Sequence, residues 1–231
     1  MSYLPWIEAD AVNFPETSNA LEEPNGLLAA GGNLSPKQLL TAYRNGIFPW
    51  YEEDQPVLWW TPDPRLVLYP EDLHVSKSMA KLLRKKAFEV TTDQAFEEVM
   101  WACAALRRGG EGTWITEDII EAYVRLHNMG IAHSVEVWEE GKLVGGLYGI
   151  ALGKVYFGES MFSRTSNASK YGFIQLTRKL QKLGFGLIDC QIYSEHLASL
   201  GATEISRLAF EKELEKLRHN DAKSIWPTDL D

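Results

Sequence analysis

Beyond residue 63 the apolar positions follow two rhythms in turn, every second residue and every third or fourth, which predicts alternating strands and helices. Short strands fall at 65–69 and 88–91, with a helix over 77–86 between them. Thr92, with Asp93 as the other candidate N-cap, opens a helix through Leu106; Thr116 caps another over 117–129 that closes at Gly130. A hairpin follows, 132–138 and 142–151 across the turn 139–141, then a third strand over 154–162 after Gly153. A helix over 169–183, a strand over 187–193 and a helix near 208–217 complete the series. A meander, then a helix, then a strand predicts an α/β (α+β) domain with an antiparallel-to-mixed sheet flanked by helices.

Residues 1–63 read differently. They are rich in Pro, Gly, Trp and Asn, and their only basic residues are Lys37 and Arg44. One helix stands out, with Ser35 as N-cap, Pro36 in the first position, Leu39, Leu40 and Tyr43 as its apolar stripe and Gly46 as a left-handed terminator. The run TPDPR at 61–65 is a rigid connector, so a small N-terminal domain over 1–63 and a larger domain over 64–231 are expected.

With 45% hydrophobic and 24% charged residues, the 231-residue chain has the balance of a soluble globular protein. It has no apolar run of ~20 residues to span a bilayer and no basic, apolar leader. Cys103 and Cys190 cannot build a disulfide framework, and no Cys/His pair has metal-ligand spacing. A reduced, cytoplasmic protein without metal or membrane is expected. The net charge of -9 argues against a nucleic-acid binder, but it is unevenly spread: HVSKSMAKLLRKK at 74–86 carries Lys77, Lys81, Arg84, Lys85 and Lys86 and no acid. On a helix, Lys77, Lys81, Arg84 and Lys85 lie near one face, a pattern more often of a solvated surface than of a phosphate-facing patch.

Polar groups on otherwise apolar strands are the candidate chemistry. In the strand 187–193, alternation puts Leu187, Asp189, Gln191 and Tyr193 on one side and Ile188, Cys190 and Ile192 on the other. A carboxylate and an amide side by side need polar partners or a substrate, since burying them alone is expensive. A buried hydrogen-bond link between loops satisfies the same pattern. Glu159 shares a strand face with Val155, Phe157 and Met161, an unusual setting for an acid. Phe173, Leu176, Leu180 and Leu183 form one stripe of the helix over 169–183, a pattern of plain core as well as of a pocket.

Six segments together resemble the leucyl/phenylalanyl-tRNA–protein transferase family: NGLLAAGGNLSPKQLLTAYRNGIFPW (25–50), WWTPDPR (59–65), EGTWIT (111–116), HSVEVW with LVGGLYG (133–149), FGESMFSR with NASK (157–170), and LIDCQ with HLASLGA (187–202). None is a generic motif, so the joint match is specific. The resemblance implies a catalytic domain of the acyl-CoA N-acyltransferase kind, with which the element order is compatible. It implies transfer of leucine, also phenylalanine or methionine, from aminoacyl-tRNA to proteins with N-terminal Arg or Lys, tagging them for N-degron degradation, with no cofactor. Asp189 and Gln191 then sit at the reacting amine, Asp189 as general base or as the group that polarises Gln191. Glu159 becomes a wall of the aminoacyl site or the anchor of a cationic acceptor. Leu147, Met161, Phe173, Leu176, Leu180 and Ile188 line the aminoacyl pocket, and Trp50 and Trp114 flank the terminal adenosine. The basic patch at 77–86 meets the tRNA backbone. Trp59 and Trp60 read as packing between the domains.

Two other readings compete. QKLGFG at 181–186 matches the pyrophosphate loop of acetyl-CoA-dependent N-acetyltransferases, but it closes a helix, whereas such a loop opens one. Where that loop belongs, between the strand 154–162 and the next helix, stands SRTSNAS. A non-catalytic tRNA-binding module needs no acids on apolar strands.

Overall fold

The computed structural model describes residues 4–9, 11, 13–108, 114–218 and 226–230, with the backbone only at 106–108. Residues 111–113 of the EGTWIT segment lie outside this set. Strands Trp6–Ile7 (β1), Leu27–Gly31 (β2), Phe48–Pro49 (β3) and Leu58–Trp60 (β4) form a small sheet in the order β1-β2-β4-β3. None is legible in the chain, because β1, β3 and β4 are only two or three residues long and β2, LLAAG, is buried on both faces and carries no alternation. The expected helix spans Pro36–Arg44 (α1), capped by Ser35 Oγ accepting from Gln38 N at 3.4 Å and followed by Gly46 at φ 72.

A second sheet holds Arg65–Leu68 (β5), Glu89–Thr92 (β6), Ala132–Glu139 (β7), Lys142–Leu152 (β8), Val155–Ser163 (β9), Leu187–Gln191 (β10) and Thr203–Ile205 (β11), in the order β11-β5-β10-β9-β8-β7-β6. All neighbours are antiparallel except β9 and β10. A parallel pair needs a long crossover, which the helix Ala168–Lys182 (α5) supplies. The other helices are Lys77–Arg84 (α2), Phe96–Arg108 (α3), Glu117–Asn128 (α4), Glu195–Ala198 (α6) and Arg207–Arg218 (α7). Helix α3 begins at Phe96, not at Thr92 or Asp93. Asp93 sits at φ 57, and its carboxylate accepts from Ser134 N at 2.9 Å and meets His133 Nδ1 at 2.8 Å, so it ties down β7 instead of a helix end.

Each face of the large sheet carries its own core. One cluster joins Leu39 and Tyr43 of α1, Val99 of α3, Tyr123 of α4, Phe210 of α7 and Phe157 of β9. It also contains Trp59 of the small sheet and Val67 of the large one, so the two sheets share this core. The opposite cluster gathers Met79 of α2 with Phe173, Leu176 and Leu180 of α5 on Leu66, Tyr156 and Ile188.

Candidate active site

Strands β9 and β10 stay paired only from Leu187 opposite Val155 to Asp189 opposite Phe157. Both then bulge. In β9, Glu159 is the extra residue between Gly158, which faces Gly149, and Ser160, which faces Tyr148. In β10, Cys190 is passed over between Asp189, opposite Val67, and Gln191, opposite Leu66, and Gln191 takes a left-handed φ of 59. Bulges bend a strand and sharpen its twist, and a cavity of about 520 Å³ opens between the parted ends. At Gly149 a Cβ would lie 2.1 Å from Phe157 O, so β8 and β9 approach this closely only over glycine.

The β9 bulge also inverts the alternation. Val155 and Phe157 face the first core and Tyr156 the second, whereas beyond Glu159 it is Phe162 that faces the first core and Met161 that packs on the second. Glu159 therefore shares its side with Val155 and Phe157, as expected, but not with Met161.

Glu159 points among hydroxyls. Tyr43 OH donates to its Oε1 at 2.7 Å, Tyr123 OH to its Oε2 at 3.1 Å and Gln191 Nε2 to its Oε1 at 3.4 Å; the two tyrosine hydroxyls also bond each other. Burial raises the Glu159 carboxyl from 4.5 to about 7; the tyrosine hydrogen bonds and Arg65 pull it down, and the charge on Asp189 pushes it up. Burial first, then Glu159 itself, hold Tyr43 and Tyr123 well above the usual tyrosine range, so both remain neutral donors.

Asp189 stands behind the cavity wall. It is wholly buried and bound bidentately by Arg65, Nε to Oδ1 at 2.8 Å and Nη2 to Oδ2 at 2.7 Å, and Oδ1 also accepts from Gln191 N at 3.0 Å. The Arg65 guanidinium lies between the rings of Phe48 at 4.9 Å and Phe210 at 4.6 Å. Asp189, expected at the reacting amine, is not among the residues lining the cavity: with both oxygens engaged it fixes the bulge that aims Gln191, and Gln191 lines the cavity. Cys190 lines it too, its thiol pushed far up by burial and by Asp189.

Leu147, Met161, Phe173 and Ile188 form the apolar wall, and Trp50 and Trp114 line the cavity beside Phe48 and Pro49. Leu176 and Leu180 do not reach it. Both are fully buried in the second core, because three and seven residues of helix carry them about 4.5 and 10 Å past Phe173. Trp59 is buried, its Nε1 donating to Gly31 O, and Trp60 packs on Trp50. The sequence reading missed Tyr43, Tyr123, Arg65 and the half-exposed rim residues Ile192 and Tyr193. Arg65 alone left a trace, as a base in an apolar strand start where a buried acid needed a partner.

Helix α2 buries Met79 and exposes Lys77, Lys81 and Arg84, with Lys85 at its cap and Lys86 just beyond, also exposed. It packs on α5, and His74 N, just before it, bonds Leu200 O at 2.9 Å, beyond the cavity loop. No helix among the described residues is long and apolar enough to cross a membrane.

A mixed sheet flanked by helices and split over an apolar cavity, with a protonatable acid and an amide on its wall, is the α/β frame of the site, and the relatives that match the chain make it a transferase. The chain belongs to the leucyl/phenylalanyl-tRNA–protein transferase family: the family's sequence pattern matches residues 67–215, and that of its N-terminal domain residues 32–63. It is 57% identical to the leucyl/phenylalanyl-tRNA–protein transferase of Pseudomonas fluorescens (strain Pf0-1) over 96% of this chain and 99% of the relative, and 57% identical to that of Stutzerimonas stutzeri (strain A1501) over the same shares. Among solved structures, a GCN5-related N-acetyltransferase from Kribbella flavida is similar at TM-score 0.41 and 13% identity, covering 74% of this chain and 61% of that one.

Proposed function

We propose that the cavity takes the aminoacyl end of a charged tRNA. From it the chain passes leucine, also phenylalanine or methionine, to the α-amine of cytoplasmic proteins beginning with arginine or lysine, marking them for N-degron degradation. The observation that carries this reading is the split between β9 and β10, which sets an apolar wall against Gln191 and Glu159. Family membership supports it. Leucine and phenylalanine slide into such a hollow where a side chain branched at Cβ clashes. Trp50 and Trp114 flank the terminal adenosine, each base-on-ring contact contributing ~1–3 kcal/mol.

The donor ester is already activated, and an α-amine with a pKa of ~8 is partly neutral near pH 7, so positioning supplies much of the rate. Gln191 Nε2 donates to Glu159, which leaves Oε1 as the acceptor for the amine. The amine nitrogen attacks the ester carbonyl, the C–N bond forms, and the bond to the ribose oxygen breaks. Glu159, near pH 7 in its affinity for protons, takes the amine proton and returns it to the departing hydroxyl. Asp189 and Arg65 hold Gln191 in place without touching the reactants. Both oxygens of Glu159 already accept from tyrosines, which favours this role over anchoring a cationic side chain. The test is transfer of radiolabelled leucine from charged tRNA to a protein with N-terminal arginine. Label on that protein and none on a partner with N-terminal glutamate is expected; equal labelling of both, or of neither, overturns the reading.

A further inference from the structure

Beside the active-site cavity lies a smaller one of about 290 Å³, lined by residues 163–167, Ser169, Lys170 and His196. The two share Ser163, Ser169 and His196 and are therefore adjacent. Although the chain's net charge is -9, no acid lines the smaller cavity, and Arg164 and Lys170 do. It sits at the N-terminus of α5, a helix of 15 residues whose N-cap Asn167 makes no side-chain cap bond. The dipole of such an end favours an anion, although Ala168 N already donates to Thr165 O at 3.1 Å and Ser169 N to Ser163 Oγ.

Two polar side chains of the lining carry an atom with no hydrogen bond among the described residues, of which Ser169 Oγ faces the space and His196 Nε2 is closed off from it. Ser169 is 5% exposed; its N–H bonds Ser163 Oγ at 3.1 Å, while its own Oγ has no hydrogen bond among the described residues. His196 Nε2 is buried and likewise unpartnered among them. Burial, then the charge on Lys170, lower the pKa of His196.

We propose, resting on the reading above, that this cavity binds the phosphodiester joining the terminal adenosine of the donor tRNA to the nucleotide before it. A segment without glycine, SRTSNAS, has no backbone cradle for a pyrophosphate, but one phosphate needs only the helix end and a few donors. Location agrees. Lys170 Nζ bonds Ser199 Oγ at 3.3 Å, and the next residue, Leu200, accepts from His74 N at the approach to α2. The cavity thus stands between the aminoacyl pocket and the basic helix, on the route a strand leaving the pocket takes.

The test compares two donors, aminoacyl-adenosine and aminoacyl-cytidylyl-adenosine, in wild type, Lys170→Ala and Ser166→Asp. Ser166 is exposed, and an acid near a helix N-terminus favours the helix, so folding is preserved while the anion is repelled. Wild type prefers the dinucleotide in kcat/KM by on the order of tenfold, as for one hydrogen-bonded charge. Each variant loses that preference and keeps its rate on aminoacyl-adenosine. Equal use of both donors by wild type, or an equal slowing of both in the variants, overturns the site. Coenzyme A competing more strongly than unacylated cytidylyl-adenosine overturns it in favour of a pyrophosphate. Wild type inert on both donors is a separate outcome, in which the transfer reading itself fails and this one with it.

Discussion

Among Tyr43, Tyr123 and Gln191, the Glu159 carboxyl binds its proton more tightly in the folded chain, about 7, than at its ordinary 4.5. Between those values the folded state holds a proton that the unfolded chain has released, so stability falls as pH rises from 4.5 and levels off above about 7. The gap is worth ~3 kcal/mol. Glu159→Gln should remove this slope, making urea stability at pH 7.5 closer to that at pH 5 than in wild type; an unaltered slope assigns the pH dependence to another group. In its proposed role as proton acceptor Glu159 also shapes the rate, and the Gln variant should turn over ~10²–10⁴-fold more slowly and lose the limb of the pH profile near 7. The Arg65–Asp189 pair poses a different question. Arg65→Met leaves a buried carboxylate unpaired and should cost ~3–5 kcal/mol, whereas Arg65→Met with Asp189→Leu replaces the pair by apolar volume and should restore most of it. Turnover should stay low in the double variant, because Gln191 N has lost the acceptor that fixes its bulge. Wild-type turnover there would make the pair purely structural.

Helix α5 separates pocket from core within one stripe. Leu176 lies wholly in the second core, so Leu176→Ala should cost ~2–5 kcal/mol and slow every donor alike. Phe173 reaches the cavity, and Phe173→Leu should move the Phe/Leu donor ratio by about tenfold, since one methylene in an apolar pocket is worth ~1–3 kcal/mol. The ratio is read at matched folded concentration. A shift in Leu176→Ala and none in Phe173→Leu would exchange the two residues' places. The stripe was legible in the sequence; which turn of it meets the cavity was not, because periodicity gives a face and never a depth. The same limit applies to the strands. Alternation read β7, β8, β9 and β10 to within one or two residues at each end, yet it could not foresee that the extra residue at Glu159 turns Met161 to the far side, or that Gln191 sits on a bulge. A bulge adds one residue without changing composition, so the parity it breaks is visible only once partners are known. Tyr43 lay on a helix stripe read as core, and only the folded chain brings it to Glu159, 116 positions away.

At the scale of the whole molecule, a chain of net charge -9 has to attract a polyanion. The answer proposed is segregation: α2 presents Lys77, Lys81 and Arg84 to solvent, with Lys85 and Lys86 beyond, on the side of the sheet where α5 packs. Charge gathered this way acts locally, since interactions between exposed groups are screened beyond about 8 Å at physiological salt. The acids elsewhere then weaken binding little. Each phosphate neutralised releases counterions, so affinity falls steeply with salt in proportion to the number of phosphates engaged. Changing Lys81, Arg84 and Lys85 together to Ala should weaken binding of intact tRNA. It should also flatten the plot of log affinity against log salt by roughly 0.7–0.9 for each phosphate no longer neutralised. Aminoacyl-adenosine, which in the proposed site ends inside the cavity, should be used at the wild-type rate. Equal losses on tRNA and on aminoacyl-adenosine would mean that the substitutions disturb α2 and the α5 wall beneath it, and the body of the tRNA would then rest on another face.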